Sequence, residues 1–195
     1  MKDVPRIIPR FLPYVHLLAK RPLDRLRLIV IHCTELPTLE LSRQFGEQVH
    51  YADGTGNSGH YYIDPQGQIQ EYVPLDRVAH HVKGFNAASI GIELVNTGRY
   101  PHWHHSQHQT MHAPYPRQQI AALCQLLHFL CEQLPGVTHI AGHEVLDTQH
   151  VCASDNPKRS VARKCDPGPK FPWDEVMSSL HLARILEKEQ AQNMP

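Results

Sequence analysis

The run Leu28-Ile29-Val30-Ile31, closed by His32, constrains this chain more than any other stretch. Four consecutive aliphatic residues leave no polar face, so the segment has to be covered on both sides. With Pro22 ahead of it, residues 26–32 read as a buried strand that ends in an imidazole. Ser89-Ile90-Gly91-Ile92-Glu93-Leu94-Val95 alternates instead, placing Ile90, Ile92 and Leu94 on one face and Glu93 on the other. Two short strands are predicted over residues 60–63 and 68–73, around the turn Asp64-Pro65-Gln66-Gly67.

A helix is predicted over residues 117–134, because Ile120, Leu123, Cys124, Leu127, Leu130, Cys131 and Leu134 recur at three-and-four spacing. Pro135-Gly136 ends it. Residues 137–141 read as a short strand that delivers His143 on the following loop. Further helices are expected over residues 40–50, with Leu41, Phe45 and Val49 on one face, and from Trp173, with Val176, Met177, Leu180 and Ala183 inward. Residues 1–24 read as an irregular, proline-rich arm, and residues 98–116 as a long polar loop. Strands separated by helices predict a single α/β domain over residues 25–190, a central mixed β-sheet flanked by helices.

Lys+Arg and Asp+Glu both number 19, so the balanced charge gives no reason to expect nucleic acid or an anionic membrane as partner. The five cysteines form no CxxC pair, and an odd number argues for reduced thiols over a disulfide framework. The first 20 residues are broken by Pro5, Pro9, Pro13, Arg6 and Arg10, leaving no secretory apolar core. A cytoplasmic monomer is therefore the expectation, provided no leader has been removed.

Two histidines and one segment carry the chemistry: His32, His143 in Ala141-Gly142-His143-Glu144, and Arg163-Lys164-Cys165-Asp166-Pro167-Gly168-Pro169. Two imidazoles and a carboxylate are the usual protein ligands of a catalytic zinc, which keeps one position for water. Singly, each has an ordinary reading: a histidine at a strand end is a satisfied polar residue, and Asp166 before Pro167 is a turn residue. Cys165 is also a competent zinc ligand, and the residue types alone leave it open against Asp166.

Six separated segments together are more specific. They are Ile29-Val30-Ile31-His32-Cys33-Thr34, Gly59-His60-Tyr61-Tyr62-Ile63-Asp64, Val73-Pro74-Leu75-Asp76 with Ala79-His80-His81, Asn86 with Ser89 to Leu94, Ala141 to Glu144, and Arg163 to Pro169 with Phe171 and Trp173. In order and rough spacing this set resembles the zinc-dependent N-acetylmuramoyl-L-alanine amidases of the peptidoglycan-recognition-protein fold, nearest to the cytoplasmic AmpD-type branch.

The resemblance implies one zinc ion held by His32, His143 and Asp166. The family ligand stands two residues after the lysine, which selects Asp166 over Cys165. Glu93 becomes the general base and Lys164 the oxyanion stabiliser, with His81 and Asn86 as substrate contacts. Some branches carry a tyrosine where this chain has Gly59, which favours the glutamate route. Most relatives have Trp-His-Ala-Gly where this chain has His80-His81-Val82-Lys83, so the sugar or peptide subsite departs from the pattern. The His-rich tract from His102 to His112 is expected to be a mobile loop beside the cleft rather than a second metal site. The implied reaction is hydrolysis of the amide between N-acetylmuramic acid, in its 1,6-anhydro form, and L-alanine of the stem peptide, in cell-wall recycling. The alternatives are a non-catalytic peptidoglycan-binding module and a wall-lytic amidase acting on intact sacculi.

Overall fold

The structure is a computed structural model that describes residues 4–193. Its centre is β2 of a seven-stranded mixed sheet, and the strands are best given in chain order. These are β1 (Ile7–Pro9), β2 (Leu28–Cys33), β3 (Tyr61–Ile63), β4 (Ile69–Glu71), β5 (Ser89–Leu94), β6 (His139–Gly142), β7 (His150–Cys152), β8 (Ser160–Ala162) and β9 (Ala183–Arg184). The sheet order is β1-β4-β3-β5-β2-β6-β9, and β7 and β8 form a separate hairpin. Strands β3, β5, β2, β6 and β9 run parallel to one another, while β4 is antiparallel to β3.

All six residues of β2 are buried, as a central strand built on four consecutive aliphatic residues requires. Its two faces enter different cores. Ile29 and Ile31, with Ile90, Ile92 and Leu94 of β5, pack with Ile120, Leu123, Leu126, Leu127 and Leu130 of helix α2. Leu28 and Val30 meet Val82, Ala141, Leu146 and Ile185 on the other side. His32 continues that second face at the carboxyl end of the strand, where the apolar cover stops.

The helices are α1 (Leu39–Gly46), α2 (Arg117–Gln133), α3 (His143–Leu146), α4 (Trp173–Met177) and α5 (Lys188–Gln192). Helix α2 also supplies buried Gln119, whose Nε2 donates to the carbonyls of Ile63 and Val95 and so ties off β3 and β5. No helix among the described residues is long and apolar enough to cross a membrane.

Several local expectations change. Helix α1 buries Ser42 and Gly46, not the Leu41–Phe45–Val49 face. Small residues let it lie close to the preceding segment, where the Tyr14 hydroxyl donates to the Gly46 carbonyl at 2.6 Å. Phe45 and Val49 remain 39% and 60% exposed. The proline-rich stretch is not irregular throughout: β1 pairs with β4, and Leu12, Tyr14 and Leu18 form a small core with Tyr62, Tyr72 and Val73. Residues 1–3 of that stretch lie outside the described residues. Helix α4 ends at Met177, and Ala183 is an exposed residue of β9 rather than an inward helical one. His143 opens α3 instead of standing on a loop.

Residues 98–116 form neither helix nor strand, yet the segment is closely tied. Arg99 Nε and Nη2 donate to Oε1 and Oε2 of Glu35 at 2.7 and 2.8 Å. Trp103 Nε1 donates to the Glu35 carbonyl at 3.1 Å. The amide and hydroxyl of Ser106 donate to the two carboxylate oxygens of Asp155, each at 2.7 Å. This wiring argues against the freely moving loop that its composition suggested.

Candidate metal centre

The sheet brings His32, His143 and Asp166 together although 111 residues separate the two histidines. Strand β2 places His32; β6 pairs with β2 in parallel, with Ile31 opposite Gly142, so His143 follows directly beside it. Asp166 arrives on the segment after β8, anchored where the Glu144 amide donates to the Asp166 carbonyl at 3.0 Å. The two Nδ1 atoms are 3.0 Å apart. Asp166 Oδ2 lies 3.2 Å from Nδ1 of His32 and 3.1 Å from Nδ1 of His143.

All three residues are buried, with exposures of 2%, 3% and 2%. Burial, followed by the neighbouring His143, lowers the His32 pKa to about 4, so its imidazole is neutral at pH 7. Burial opposes ionisation of Asp166, but the charge and hydrogen bond of His143, then His32 and Lys164, hold its pKa well below the usual carboxylate range. Asp166 Oδ1 is buried with no hydrogen-bond partner among the described residues. A buried carboxylate with one orphaned oxygen, its other oxygen crowded by two imidazole nitrogens, is a costly arrangement for a metal-free protein and a natural one for a divalent cation. Among the described residues this is the one group of its kind whose ligand atoms all lie within 4.8 Å of one another. The residues fit zinc in donor set and number.

Cys165 turns away and packs against the main core. The rings of His102, His105 and His108 meet one another edge-on or tilted, at 4.6 to 5.9 Å between centroids, and are not part of this group.

Glu93 lies opposite His32 in the register of β2 and β5. Its Oε1 is 3.9 Å from His32 Nδ1. Burial first, then the charge of Asp166, raises its pKa to about 8, while Lys164 pulls the other way. Gly59 makes this position possible: a Cβ there would fall 2.8 Å from Glu93 Cγ. Lys164 lines the same open cavity of about 750 Å³, together with Tyr62, His80, Phe45 and Tyr51. His80, in place of the flat tryptophan of most relatives, meets the Tyr51 ring edge-on at 4.9 Å.

The two expected substrate contacts, His81 and Asn86, both line the cavity and also make bonds within the protein. Asn86 Oδ1 accepts from the amides of His81 and Val82 at 3.0 and 2.7 Å, so its oxygen holds the backbone of this turn. His81 Nδ1 stands 2.9 Å from His32 Nε2, and its Nε2 stands 3.2 Å from Ser89 Oγ. Both ring nitrogens of His81 thus have partners within the protein, an arrangement that no local pattern could have supplied.

Sequence reasoning also missed Asp147, whose Oδ2 lies 4.0 Å from His143 Nε2 and pairs with Arg163. The i, i+4 spacing of His143 and Asp147 was its one available signal. Arg21 was missed as well; its buried guanidinium donates to the carbonyls of Leu75, Asn86 and Ser89 and fixes the start of β5.

The profile of the N-acetylmuramoyl-L-alanine amidase family matches residues 22–169. A comparison with curated proteins found no match. Among solved structures, the N-acetylmuramoyl-L-alanine amidase LysC from Clostridium intestinale URNW shares the fold, with 21% identity, a TM-score of 0.60, and coverage of 92% of this chain and 99% of that one. AmpDH3 from Pseudomonas aeruginosa is 25% identical, with a TM-score of 0.62 over 85% of this chain and 62% of its own. AmiD from E. coli, solved with the substrate anhydro-N-acetylmuramic acid-L-Ala-D-gamma-Glu-L-Lys, is also 25% identical, with a TM-score of 0.60 over 82% of this chain and 58% of its own.

Proposed function

The chain belongs to the N-acetylmuramoyl-L-alanine amidase family and is a peptidoglycan amidase, and from that premise we propose that it is a zinc enzyme cleaving 1,6-anhydro muropeptides in the cytoplasm during cell-wall recycling. The observation that carries the zinc reading is the convergence of His32, His143 and Asp166, with Glu93 and Lys164 on the same cavity. His32 and His143 through Nδ1, and Asp166 through its carboxylate, would hold the ion. Zinc in such a site lowers the pKa of a coordinated water towards ~7 and polarises a carbonyl.

The chain's own residues supply the proton chemistry. Glu93 takes a proton from the attacking water and returns it to the departing amine of L-alanine. In the metal-free protein burial keeps Glu93 largely protonated near neutrality, with a pKa of about 8. Lys164 pulls against that rise, and any added positive charge nearby pulls further, towards a base that works at pH 7. The Lys164 ammonium also faces the oxygen on which negative charge develops, where such a donor is worth ~10²–10³ in rate.

The anhydro preference is supported by the substrate found with AmiD, a structure of similar fold. The test is metal analysis of the purified protein, followed by mass-spectrometric comparison of peptide release from anhydro muropeptides and from intact sacculi. Stoichiometric zinc and faster turnover of the soluble fragments are expected. Faster turnover of sacculi would assign a lytic role, and an active protein free of metal would overturn the zinc reading.

A further inference from the structure

A chain of hydrogen bonds runs from the back of His32 into the protein, and its direction can be worked out atom by atom. The far end is the Phe85 carbonyl, which can only accept. Ser89 Oγ donates to it at 2.8 Å, and a hydroxyl has a single proton to give. Toward His81, therefore, Ser89 offers only a lone pair, so the 3.2 Å contact is donated by His81 Nε2. At the other end, a His32 that binds a metal through Nδ1 keeps its one proton on Nε2. That N–H lies 2.9 Å from Nδ1 of His81, which can accept it while Nε2 of the same ring donates to Ser89, so the two ends of the chain agree. Nδ1 of His32 is turned towards His143 and Asp166.

We propose that His81 and Ser89 are positioning residues that lock His32 in the tautomer and orientation needed to bind a metal through Nδ1. The inference rests on the zinc reading above and adds residues to it that do not touch the ion. Metal-binding histidines generally donate their second N–H to an outer partner, usually a carboxylate, carbonyl or water. Here the partner is a second imidazole, which transmits the direction set by a hydroxyl and a backbone carbonyl.

Strand β5 is built for this arrangement. Ser89, Gly91 and Glu93 alternate onto one face. Ser89 receives the His81 proton, and Gly91 leaves room for the ring, since a Cβ there would lie 2.6 Å from His81 Cγ. Glu93 reaches the centre itself. Asn86 completes the support by holding the His81 and Val82 amides. Three alternate positions of one strand thus serve the outer partner, its space and the proposed base.

The test reads tautomers and zinc affinity, not turnover. Long-range ¹H–¹⁵N correlation spectra of the zinc-loaded protein, ¹⁵N-labelled in histidine, should show His32 and His81 both carrying the proton on Nε2. A chelator-competition titration with Zn²⁺ should show His81→Ala weakened ~10–100-fold. His81→Asn, whose side-chain oxygen can accept from His32 near the original Nδ1 position, should recover most of that loss. Ser89→Ala should weaken binding less than His81→Ala and mix the His81 tautomers; it also serves if His81→Ala does not fold. A His32 proton on Nδ1 in the wild type, or wild-type zinc affinity in His81→Ala, overturns the proposal. Absence of zinc binding by the wild type would instead remove the metal reading, and this proposal with it.

Discussion

Glu93 stands directly across from His32 because β2 and β5 pair in parallel without interruption from Leu28–Ser89 to Cys33–Leu94. The distance between an acid and an imidazole is here a property of the sheet register. A slip of one residue would turn Glu93 into the α2 core and bring Ile92 or Leu94 to the cavity. Such a placement costs stability, since burial drives the carboxyl pKa up to about 8, and raised carboxyls of this kind concentrate at working sites.

Glu93→Gln keeps the shape and removes the ability to take a proton. Its kcat is expected to fall by ~10²–10⁴ with zinc content and melting temperature close to wild type. Unchanged turnover on a muropeptide would remove Glu93 from the reaction.

Gly59→Ala tests the same position from behind. The new Cβ would lie 2.8 Å from Glu93 Cγ and 3.1 Å from the Gly91 carbonyl, so Glu93 must move. A displacement of that size in a reacting group costs on the order of 10²-fold in kcat. Zinc affinity should be retained, because none of the three candidate ligands touches Gly59. Parallel loss of zinc and activity would mean that the substitution acts on the fold instead.

Much of this arrangement was legible from pattern. An unbroken aliphatic run had to be a central strand, and the alternation of Ser89 to Leu94 already separated Glu93 from the core face. What escaped depended on tertiary partners. Periodicity shows that α1 has two faces, but the closeness permitted by Ser42 and Gly46 decides which is buried. The family resemblance could nominate His81, but not reveal that both its nitrogens are engaged, because Ser89 and Gly91 become its neighbours only once β5 is in the sheet. The Arg99–Glu35 pair, 64 residues apart, has no local signature.

That pair anchors the long polar segment and yields its own test. The side chains of Arg99 and Glu35 are 1% and 7% exposed. Removing one partner leaves the other charged and buried, so Arg99→Ala should cost about 3–5 kcal/mol in urea denaturation. Adding Glu35→Gln should restore part of that loss. Proteolysis should then cut first between residues 99 and 113, where Gln109 loses its Arg99 anchor.

Stability against pH in the metal-free protein provides a test in which the sign is informative. Glu93 and Glu144 both rise from 4.5 to about 8, each chiefly through burial. A carboxyl raised on folding holds its proton more tightly in the native state, so its contribution is complete below 4.5 and lost as pH climbs through about 8. His32, lowered to about 4, acts oppositely, but only between there and its ordinary 6.5. Between pH 6.5 and 8 the carboxyls are therefore unopposed by His32, and the melting temperature of the chelator-treated protein should fall across that window. Glu93→Gln, neutral at every pH, should flatten the slope, and Glu93→Gln with Glu144→Gln should flatten it further. A melting temperature that rises between pH 6.5 and 8 would show that neither carboxyl is held protonated by its surroundings.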